Sequence, residues 1–395
     1  MKADRVDVLI VGAGAAGMMC AIEAGRRGRS VRVLDHARAP GEKIRISGGG
    51  RCNFTNLGTG PGNFLGENPR FATSALRRFT PHDFIRRVDR AGIAWHEKTL
   101  GQLFCDDSAR QIIRMLTGDM GEAGARLSLG VSVERAARAG DGFEATLSDG
   151  ALVRAASLVL ATGGKSIPKM GATGWAYDTA RAFGLRLTET RPALVPLTLE
   201  TGLLERLRPL AGVSVEAVVS HGKTKFAEGL LFTHRGLSGP AVLQISSYWR
   251  EGEAISVAMA PGVDVLARLK AMKAENGRQA AHTALGQLVP KRLAEALVEQ
   301  HGAQGNLADL SDAALRRLDR AVNGWSVRPV GSEGYRTAEV TLGGVAADQL
   351  DQQTMAAKSV PGLYVIGEAV DITGWLGGYN FQWAWSSGWA AGQAC

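Results

Sequence analysis

The first residues of the chain alternate between two short apolar runs and a helix-like stretch. Residues 6–11 are apolar except for Asp7, and they end at a glycine turn. A run of this length and composition predicts a strand that is buried on both faces of a parallel sheet. Residues 31–34 form a second run, apolar except for Arg32, which ends at Asp35. This order predicts a β-α-β unit.

The turn between the first strand and the helix has the spacing G-x-G-x-x-G, formed by Gly12, Gly14 and Gly17. In dinucleotide-binding folds the first glycine permits a tight turn, the second lets the backbone approach a pyrophosphate, and the third lets helix and strand pack closely. The pyrophosphate then lies on the unpaired N–H groups of the helix. Asp35 is placed to accept hydrogen bonds from an adenosine ribose and would repel a 2′-phosphate. The predicted ligand is therefore FAD or NAD, and NADP is disfavoured.

The remaining pattern predicts two domains. Helical periodicity dominates residues 69–121, a hairpin turns at Asp149-Gly150, and buried strands recur near 157–161 and 363–366. After Pro192 the chain favours short strands, then helices, before the strand pattern returns near residue 340. These changes predict an α/β fold in which both chain ends build one domain around an insert. The predicted boundaries are 1–190 and 336–395 for the discontinuous dinucleotide domain and 191–335 for the insert, with a β part at 191–262 and a helical part at 263–324.

Residues 38–66 are predicted to form a long loop, and long loops inside compact domains are usually functional. Its glycines at 48–50 permit positive φ angles and a close approach to a flat ring. Lys43, Ser47 and Arg51 can address phosphates or the negative charge that develops at the flavin N1/O2 edge. Asn53 and Asn56 supply amide groups for the ring edge. An ordinary surface loop is the alternative.

Two further segments favour FAD over NAD. Residues 158–161 followed by Thr162-Gly163-Gly164 resemble the A-T-G motif of two-dinucleotide-type flavoproteins. Residues 363–367 followed by Glu368 and Asp371 resemble the segment that holds the ribityl and phosphate groups of FAD, because a carboxylate can accept from ribityl hydroxyls. Only one G-x-G-x-x-G is present, so NAD(P)H is expected to dock transiently as an electron donor.

Composition and charge narrow the class of protein. The 395 residues are 45% hydrophobic and 21% charged, which is typical of a soluble globular protein. A net charge of +8 permits an anionic partner such as RNA, although the excess could also reflect arginine-rich genome composition. The four cysteines lack metal-ligand spacing, so no metal site and a reducing, cytoplasmic compartment are expected. No apolar run is long enough to predict a membrane span.

Long motifs then identify a family resemblance. GEKIRISGGGRCNFTN (41–56), FTHRGLSGPAVLQIS (232–246), AEVTLGGV (338–345) and GLYVIGEAVDITGWLGGYNFQWAWSSGWAAG (362–392) resemble a bacterial flavoprotein family. That family includes aminoacetone-oxidase-like proteins, bile-acid-type enone reductases and a ribosomal-RNA dihydrouridine synthase branch. The resemblance covers essentially the whole chain. It implies FAD, a Rossmann-like domain, and an inserted β-barrel-like plus helical domain.

Motifs and resemblance together give a set of expected cofactor contacts. Those before residue 60 are Gly12, Gly14, Ala15, Ala16, Gly17, Asp35, Lys43, Ser47, Gly49, Gly50, Arg51, Cys52, Asn53 and Asn56. Those after it are Val133, Ala161, Thr162, Gly163, Gly164, Gly367, Glu368, Asp371, Gly377, Gly378, Tyr379, Asn380 and Gln382.

The candidate acids that could protonate a reduced carbon are Cys52, Tyr379 and Cys105. Cys52 is favoured because its loop should touch the flavin ring and Arg51 could tune its thiol. A packed, inert cysteine is the alternative, and Tyr379 could instead pack against the flavin or hydrogen-bond to it.

The sequence thus predicts an FAD-dependent oxidoreductase. Its best-specified version is NAD(P)H-driven reduction of a carbon–carbon double bond next to a carbonyl, in a small molecule or in a uridine of RNA. Two alternatives remain open at this point. One is an oxidase that passes electrons from an amine or amino ketone to oxygen, and the other is a non-catalytic FAD-binding protein that associates with RNA or the ribosome.

Overall fold

A computed structural model describes residues 4–395, which divide into two compact units. The first unit contains the chain up to Arg191 together with residues 340–395, and the second contains residues 192–339. The strand Arg191–Ala193 crosses this boundary.

A seven-stranded sheet organises the first unit. Its parallel strands follow the order Arg126–Leu129, Val31–Asp35, Asp4–Val11, Leu152–Leu160 and Leu363–Val365. Gly142–Leu147 and Val133–Ala139 extend the sheet as antiparallel strands. The predicted strands and the hairpin at Asp149-Gly150 are confirmed, except that residues 152–160 form one continuous strand. Because the parallel strands share one direction, the segments that follow them gather at one edge of the sheet.

The helices of the first unit cover this sheet and the short strands beside it. The helices are Ala15–Arg26, Glu42–Ile46, Thr73–Arg78, Pro81–Arg90, Ala109–Glu122, Trp175–Ala182 and Tyr379–Gly392. The short strands are Asn53–Asn56, Phe64–Leu65, Trp95–Glu97, Gln102–Cys105, Val340–Leu342 and Thr373–Gly374.

The last helix packs directly on the first one. A Cβ atom at Gly388 would lie 2.4 Å from the carbonyl oxygen of Ala16, and one at Gly392 would lie 2.6 Å from Cβ of Glu23. Both distances are too short for a side chain, so these glycines let the two helices approach closely. The C-terminal segment is thereby fixed against the helix that follows the glycine turn.

Residues 38–66 are more ordered than predicted. They contain the helix Glu42–Ile46 and the strand Asn53–Asn56, and this strand pairs with Gln102–Cys105. The prediction of a structureless loop was wrong because the partner strand lies about fifty residues further on, outside any local pattern. The strands Trp95–Glu97 and Gln102–Cys105 lie between two of the helical segments that were predicted within residues 69–121.

The second unit combines a curled antiparallel sheet with helices. The sheet order is Trp325–Val327, Ile255–Ala258, Ser214–His221, Thr224–Phe232, Gly236–Ser238, Leu197–Thr198 and Gly331–Ser332. Only residues 328–330 separate its two edge strands in the chain, so these edges lie within about 15 Å of each other. The sheet is therefore barrel-like. The helices of this unit are Thr201–Leu207, Pro240–Ser246, Val265–Glu275, Ala281–Leu285, Lys291–Gln300 and Asp312–Asn323.

None of the helices within residues 4–395 has the length and apolar character needed to cross a membrane.

Candidate functional site

The glycine turn lies at the carboxyl edge of the parallel strands. Gly12 has φ +113°, and a Cβ atom there would lie 2.4 Å from the carbonyl oxygen of Ala161. A Cβ atom at Gly17 would lie 1.9 Å from the carbonyl oxygen of Gly12. In contrast, a Cβ atom at Gly14 would have no neighbour within 4 Å. Gly12 and Gly17 therefore serve close packing, and Gly14 leaves the backbone open to a ligand.

The helix Ala15–Arg26 begins in this turn. Its N-cap is Gly14, and no side chain among the described residues caps its first N–H groups. Free N–H groups at the start of a helix, combined with the helix dipole, favour an anion. The backbone at Ala15 and Ala16 is therefore available for a pyrophosphate.

Asp35 is fixed beside the turn by two backbone donors. The N–H of Ala13 donates to Asp35 Oδ2 at 2.7 Å, and the N–H of Ala37 donates to Asp35 Oδ1 at 2.8 Å. A carboxylate can accept about four hydrogen bonds, so acceptor capacity remains for ribose hydroxyls. The side chain is 17% exposed.

Val131 rather than Val133 contacts the end of this strand. The N–H of Val131 donates to the carbonyl oxygen of Asp35 at 3.1 Å. Val133 is buried and pairs with Leu147 in the antiparallel part of the sheet. A contact between Val133 and the cofactor stays a prediction.

The Thr162-Gly163-Gly164 segment follows the strand that neighbours the glycine turn. The Oγ1 atom of Thr162 is buried and has no hydrogen-bond partner among the described residues. Gly163 has φ +74°. A buried hydroxyl without a partner is costly, so a polar ligand group at this place would satisfy it. This observation fits the carboxyl edge as a cofactor site.

Lys43 and Glu368 form the centre of a polar network. Lys43 Nζ lies 2.7 Å from Glu368 Oε2, and it also donates to Ser166 Oγ at 2.5 Å. Glu368 Oε1 accepts from Ser166 Oγ and from the N–H of Thr341, both at 2.9 Å. A Cβ atom at Gly164 would lie 2.6 Å from Glu368 Oε1, so only glycine fits beside this carboxylate.

Ser166 and Thr341 were not among the predicted site residues. Both had a signal in the sequence, since Ser166 lies two residues after Gly164 and Thr341 lies in the 338–345 motif. The network joins four segments that are far apart in the chain and holds a lysine cation, partly exposed, near the carboxyl edge of the sheet.

The three glycines of the 41–56 segment have the left-handed backbone that the sequence predicts. Gly48, Gly49 and Gly50 have φ values of 57°, 66° and 87°. Ser47 donates its hydroxyl to the carbonyl oxygen of Ile44 at 2.8 Å, and Arg51 is exposed. The exposed glycine backbone and Arg51 are therefore available to a ligand, whereas the Ser47 hydroxyl supports the preceding turn.

Several of the residues that were predicted to contact the cofactor hold the site together. Asn56 Nδ2 donates to the carbonyl oxygens of Leu100 and Gly377, at 3.0 and 2.9 Å. Gln382 is fully buried between Thr55 and the carbonyl oxygen of Phe79. These amides connect the 41–56 segment to the C-terminal helix, and their polar atoms face protein groups.

Asn380 and Asp371, in the C-terminal segment, also form hydrogen bonds to protein groups. Asn380 exchanges two hydrogen bonds with the backbone of Gly374 and shapes the turn before the last helix. Asp371 accepts from the N–H of Glu67 at 2.9 Å and is only 2% exposed. Burial raises the pKa of the Asp371 carboxyl.

Glycines and one amide complete the predicted set. Gly367 has φ +65°, and Gly377 and Gly378 have φ values of 108° and 96°. A Cβ atom at Gly378 would lie 2.4 Å from the carbonyl oxygen of Thr55, so this glycine permits the contact between the two segments. Asn53 lies beside the amide of Gln102, with 3.1 Å between Asn53 Nδ2 and Gln102 Oε1.

The three candidate acids differ in access to solvent. Cys52 and Cys105 are fully buried, and burial raises the pKa of both thiols, that of Cys105 to about 12. Tyr379 is 8% exposed and begins the C-terminal helix, with its ring edge-on to Phe64 and Trp375. Cys52 is therefore closed to solvent, Tyr379 keeps a small exposed fraction, and the identity of the acid stays a prediction.

Residues 4–395 contain no cluster of three or more His, Cys, Asp or Glu side chains that could hold a metal ion.

Comparison with known families agrees with this geometry. The family profile described as "HI0933-like protein Rossmann domain" matches residues 6–394. The chain belongs to this family. Together with its relatives, this membership makes the protein an FAD-dependent oxidoreductase.

Two curated relatives are similar to this chain along nearly its whole length. The chain is 50% identical over 399 residues to the ribosomal RNA dihydrouridine synthase of Escherichia coli K12, covering 99% of this chain and 98% of that protein. It is 30% identical to the 3-dehydro-bile acid delta(4,6)-reductase of Clostridium scindens, covering 98% of each.

Among solved structures, the chain is similar in fold to a 3-ketosteroid-delta4-(5alpha)-dehydrogenase from Rhodococcus jostii RHA1. The TM-score is 0.51 at 15% identity, covering 99% of this chain and 96% of that chain.

Proposed function

We propose that this FAD-dependent oxidoreductase uses NADH or NADPH to reduce the C5–C6 double bond of a uridine in ribosomal RNA, which yields dihydrouridine. The observation that carries the proposal is the 50% identity, over nearly the whole of both chains, to the dihydrouridine synthase of Escherichia coli. The net charge of +8 supports a polyanionic substrate. The reaction consumes one NAD(P)H and one proton for each uridine.

The chain's own residues have separate tasks in this proposal. The open backbone at Gly14 and the carboxylate of Asp35 bind the adenosine and pyrophosphate half of FAD. FAD held by these residues would supply two-electron redox chemistry between a nicotinamide donor and the pyrimidine. Lys43, held by Glu368, supplies positive charge near the reactive end, and charge that is fixed in advance stabilises developing negative charge.

Reduction of the double bond also needs a proton at the other carbon. Tyr379 would donate it, because its hydroxyl belongs to the first residue of the C-terminal helix and lies near the exposed Gly58. A phenol that gives up a proton is assisted by the dipole at a helix N-terminus. Cys52 would keep a structural role in the interior.

The proposal is tested in two steps. Anaerobic NADH or NADPH should bleach the flavin absorbance of the purified protein, and a subsequent addition of unmodified ribosomal RNA should restore it. Nucleoside mass spectrometry should then find dihydrouridine in that RNA. In cells, deletion of the gene should remove a dihydrouridine from ribosomal RNA, and the wild-type gene should restore it.

A small enone is the second candidate substrate, because the bile-acid reductase is 30% identical over 98% of this chain. Restoration of the flavin absorbance by an enone but not by RNA would favour it. Rapid reoxidation by air with peroxide release, without either product, would favour the oxidase. Unchanged dihydrouridine in the deletion strain would refute the RNA proposal.

A further inference from the structure

An exposed leucine on a strained backbone lies beside the candidate site. Leu100 has φ +58° and ψ +33° in the turn Thr99–Gly101, a left-handed conformation that leucine rarely adopts. Its side chain is 65% exposed, more than that of any other large hydrophobic residue identified as exposed in residues 4–395. Strain and apolar exposure both cost free energy, and such outliers cluster at functional sites.

The backbone of Leu100 is held in place by the site itself. Its carbonyl oxygen accepts a hydrogen bond from Asn56 Nδ2, and the same nitrogen donates to the carbonyl oxygen of Gly377. The next residue, Gly101, accepts from the N–H of Leu57 at 2.9 Å. The leucine is therefore anchored to the same amide that joins the 41–56 segment to the C-terminal turn.

Leu57 is a second exposed leucine, close in space to Gly101, the residue that follows Leu100. Its side chain is 38% exposed, and its Cβ atom lies 3.5 Å from where a Cβ atom on Gly101 would be. We define Leu57 and Leu100 as the leucine pair. Two side chains are far too small for a stable protein–protein interface, which needs roughly 800 Å² on each partner. They match the size of one flat ring, such as a nucleobase.

We propose that the leucine pair inserts into the base stack of the RNA substrate, with Leu100 as the wedge that opens the stack next to the reactive uridine. This inference rests on the proposed function, because a uridine inside a stack must leave it before a flavin can reach C5 and C6. Apolar side chains that insert between bases open a stack in this way in other nucleic-acid-binding proteins. The rigid anchor through Asn56 keeps the wedge at a fixed position relative to the site.

The test uses an RNA hairpin derived from ribosomal RNA, with 2-aminopurine beside a uridine in the stem. Binding is followed by fluorescence anisotropy, and unstacking is followed by 2-aminopurine emission. Leu100→Asn removes the apolar side chain but keeps a residue that tolerates the left-handed backbone. Val330→Asn is the matched control, because Val330 is 58% exposed and lies in the second unit.

The wild-type protein and Val330→Asn should raise the emission on binding, and Leu100→Asn should bind the hairpin but raise it much less. Leu100→Met, which keeps an apolar side chain, should retain most of the increase. Dihydrouridine formation by Leu100→Asn should fall by about tenfold or more on the folded hairpin and by less than about twofold on an unpaired oligonucleotide. Flavin reduction by NAD(P)H should be unchanged.

Two results would overturn the wedge: equal unstacking by Leu100→Asn and wild type, or no unstacking by the wild type. Failure of the proposed function is distinguishable from both. In that case the wild-type protein would unstack the hairpin in a Leu100-dependent way and yet form no dihydrouridine.

Discussion

Lys43 Nζ lies 2.7 Å from Glu368 Oε2, although 325 residues separate them in the chain. Lys43 lies in the segment after the strand Val31–Asp35, and Glu368 lies in the turn after the strand Leu363–Val365. The two side chains are only 32% and 19% exposed, so the pair is screened by solvent less than an ordinary surface pair. It therefore ties both ends of the chain together at the place where the cofactor is expected.

Replacing both Lys43 and Glu368 should lower the free energy of unfolding by less than the sum of the two single replacements. Lys43→Met leaves Glu368 without its cation, whereas Glu368→Gln still offers an acceptor to Ser166. We expect a coupling free energy of about 1 kcal/mol between the two sites, measured by urea unfolding of the FAD-loaded protein. The exposed pair Arg154 and Glu144 is the control and should show a smaller coupling. Full additivity at Lys43 and Glu368 would refute the network.

Asp35→Ala should weaken FAD binding without changing the choice of substrate. It removes hydrogen bonds to the ribose and releases the backbone at Ala13 and Ala37. Each lost bond to a charged group is worth roughly 1.5–3 kcal/mol, so the dissociation constant of FAD should rise by at least about tenfold. Equilibrium dialysis measures this constant, and Asp35→Asn should lie between wild type and alanine. An altered ratio of rates on RNA and on an enone would contradict this division of roles.

Two single substitutions, Tyr379→Phe and Cys52→Ala, show which of these residues donates the proton. Tyr379→Phe keeps the ring contacts with Phe64 and Trp375 but removes the hydroxyl, so uridine reduction should fall by about 100-fold while reduction of the flavin stays normal. Cys52→Ala should leave both half-reactions within about threefold, because a buried thiol does not reach a substrate. Stopped-flow absorbance separates the two half-reactions. The opposite pattern would make Cys52 the acid.

Arginines between residues 69 and 90 should contact RNA phosphates. This stretch holds six arginines and two aspartates, a net charge of +4 out of +8 for the whole chain. Arg70 and Arg77 are exposed and form no ion pair with a described residue. Changing both to Gln should reduce the slope of log affinity against log salt by about 1.5. The control changes Arg110 and Arg114, on the helix Ala109–Glu122, and should leave the slope unchanged.

Asp371 should make stability depend on pH. Burial raises the pKa of its carboxyl in the folded protein, so the folded state binds this proton more tightly than the unfolded state. Its contribution to stability is therefore largest below the unfolded pKa, near 3.9, and is lost as pH rises through the folded pKa. We therefore compare the free energy of unfolding of Asp371→Asn with that of the wild type by urea unfolding. The difference should favour the variant more at pH 7 than at pH 4. An equal difference at both pH values would refute this assignment.

The sequence by itself determined the strand, glycine turn and helix of the predicted nucleotide-binding segment. The run of apolar residues, the glycine spacing and the terminal Asp35 are local features, and hydrophobic periodicity with backbone sterics fixes what they can form. The positive φ angles at Gly48, Gly49 and Gly50 also followed from residue type alone. The long family motifs specified the fold class and the oxidoreductase chemistry.

Only the tertiary structure decided which polar side chains remain available to a ligand. Asn56, Gln382 and Asp371 are the right residue types for cofactor contacts, and the tertiary structure also joins each of them to a distant segment by a hydrogen bond. The partners lie more than 300 residues away in the chain, and a local pattern does not encode such pairings. The same long-range packing buries Cys52, assembles the network around Glu368, and leaves Leu100 exposed on a strained turn.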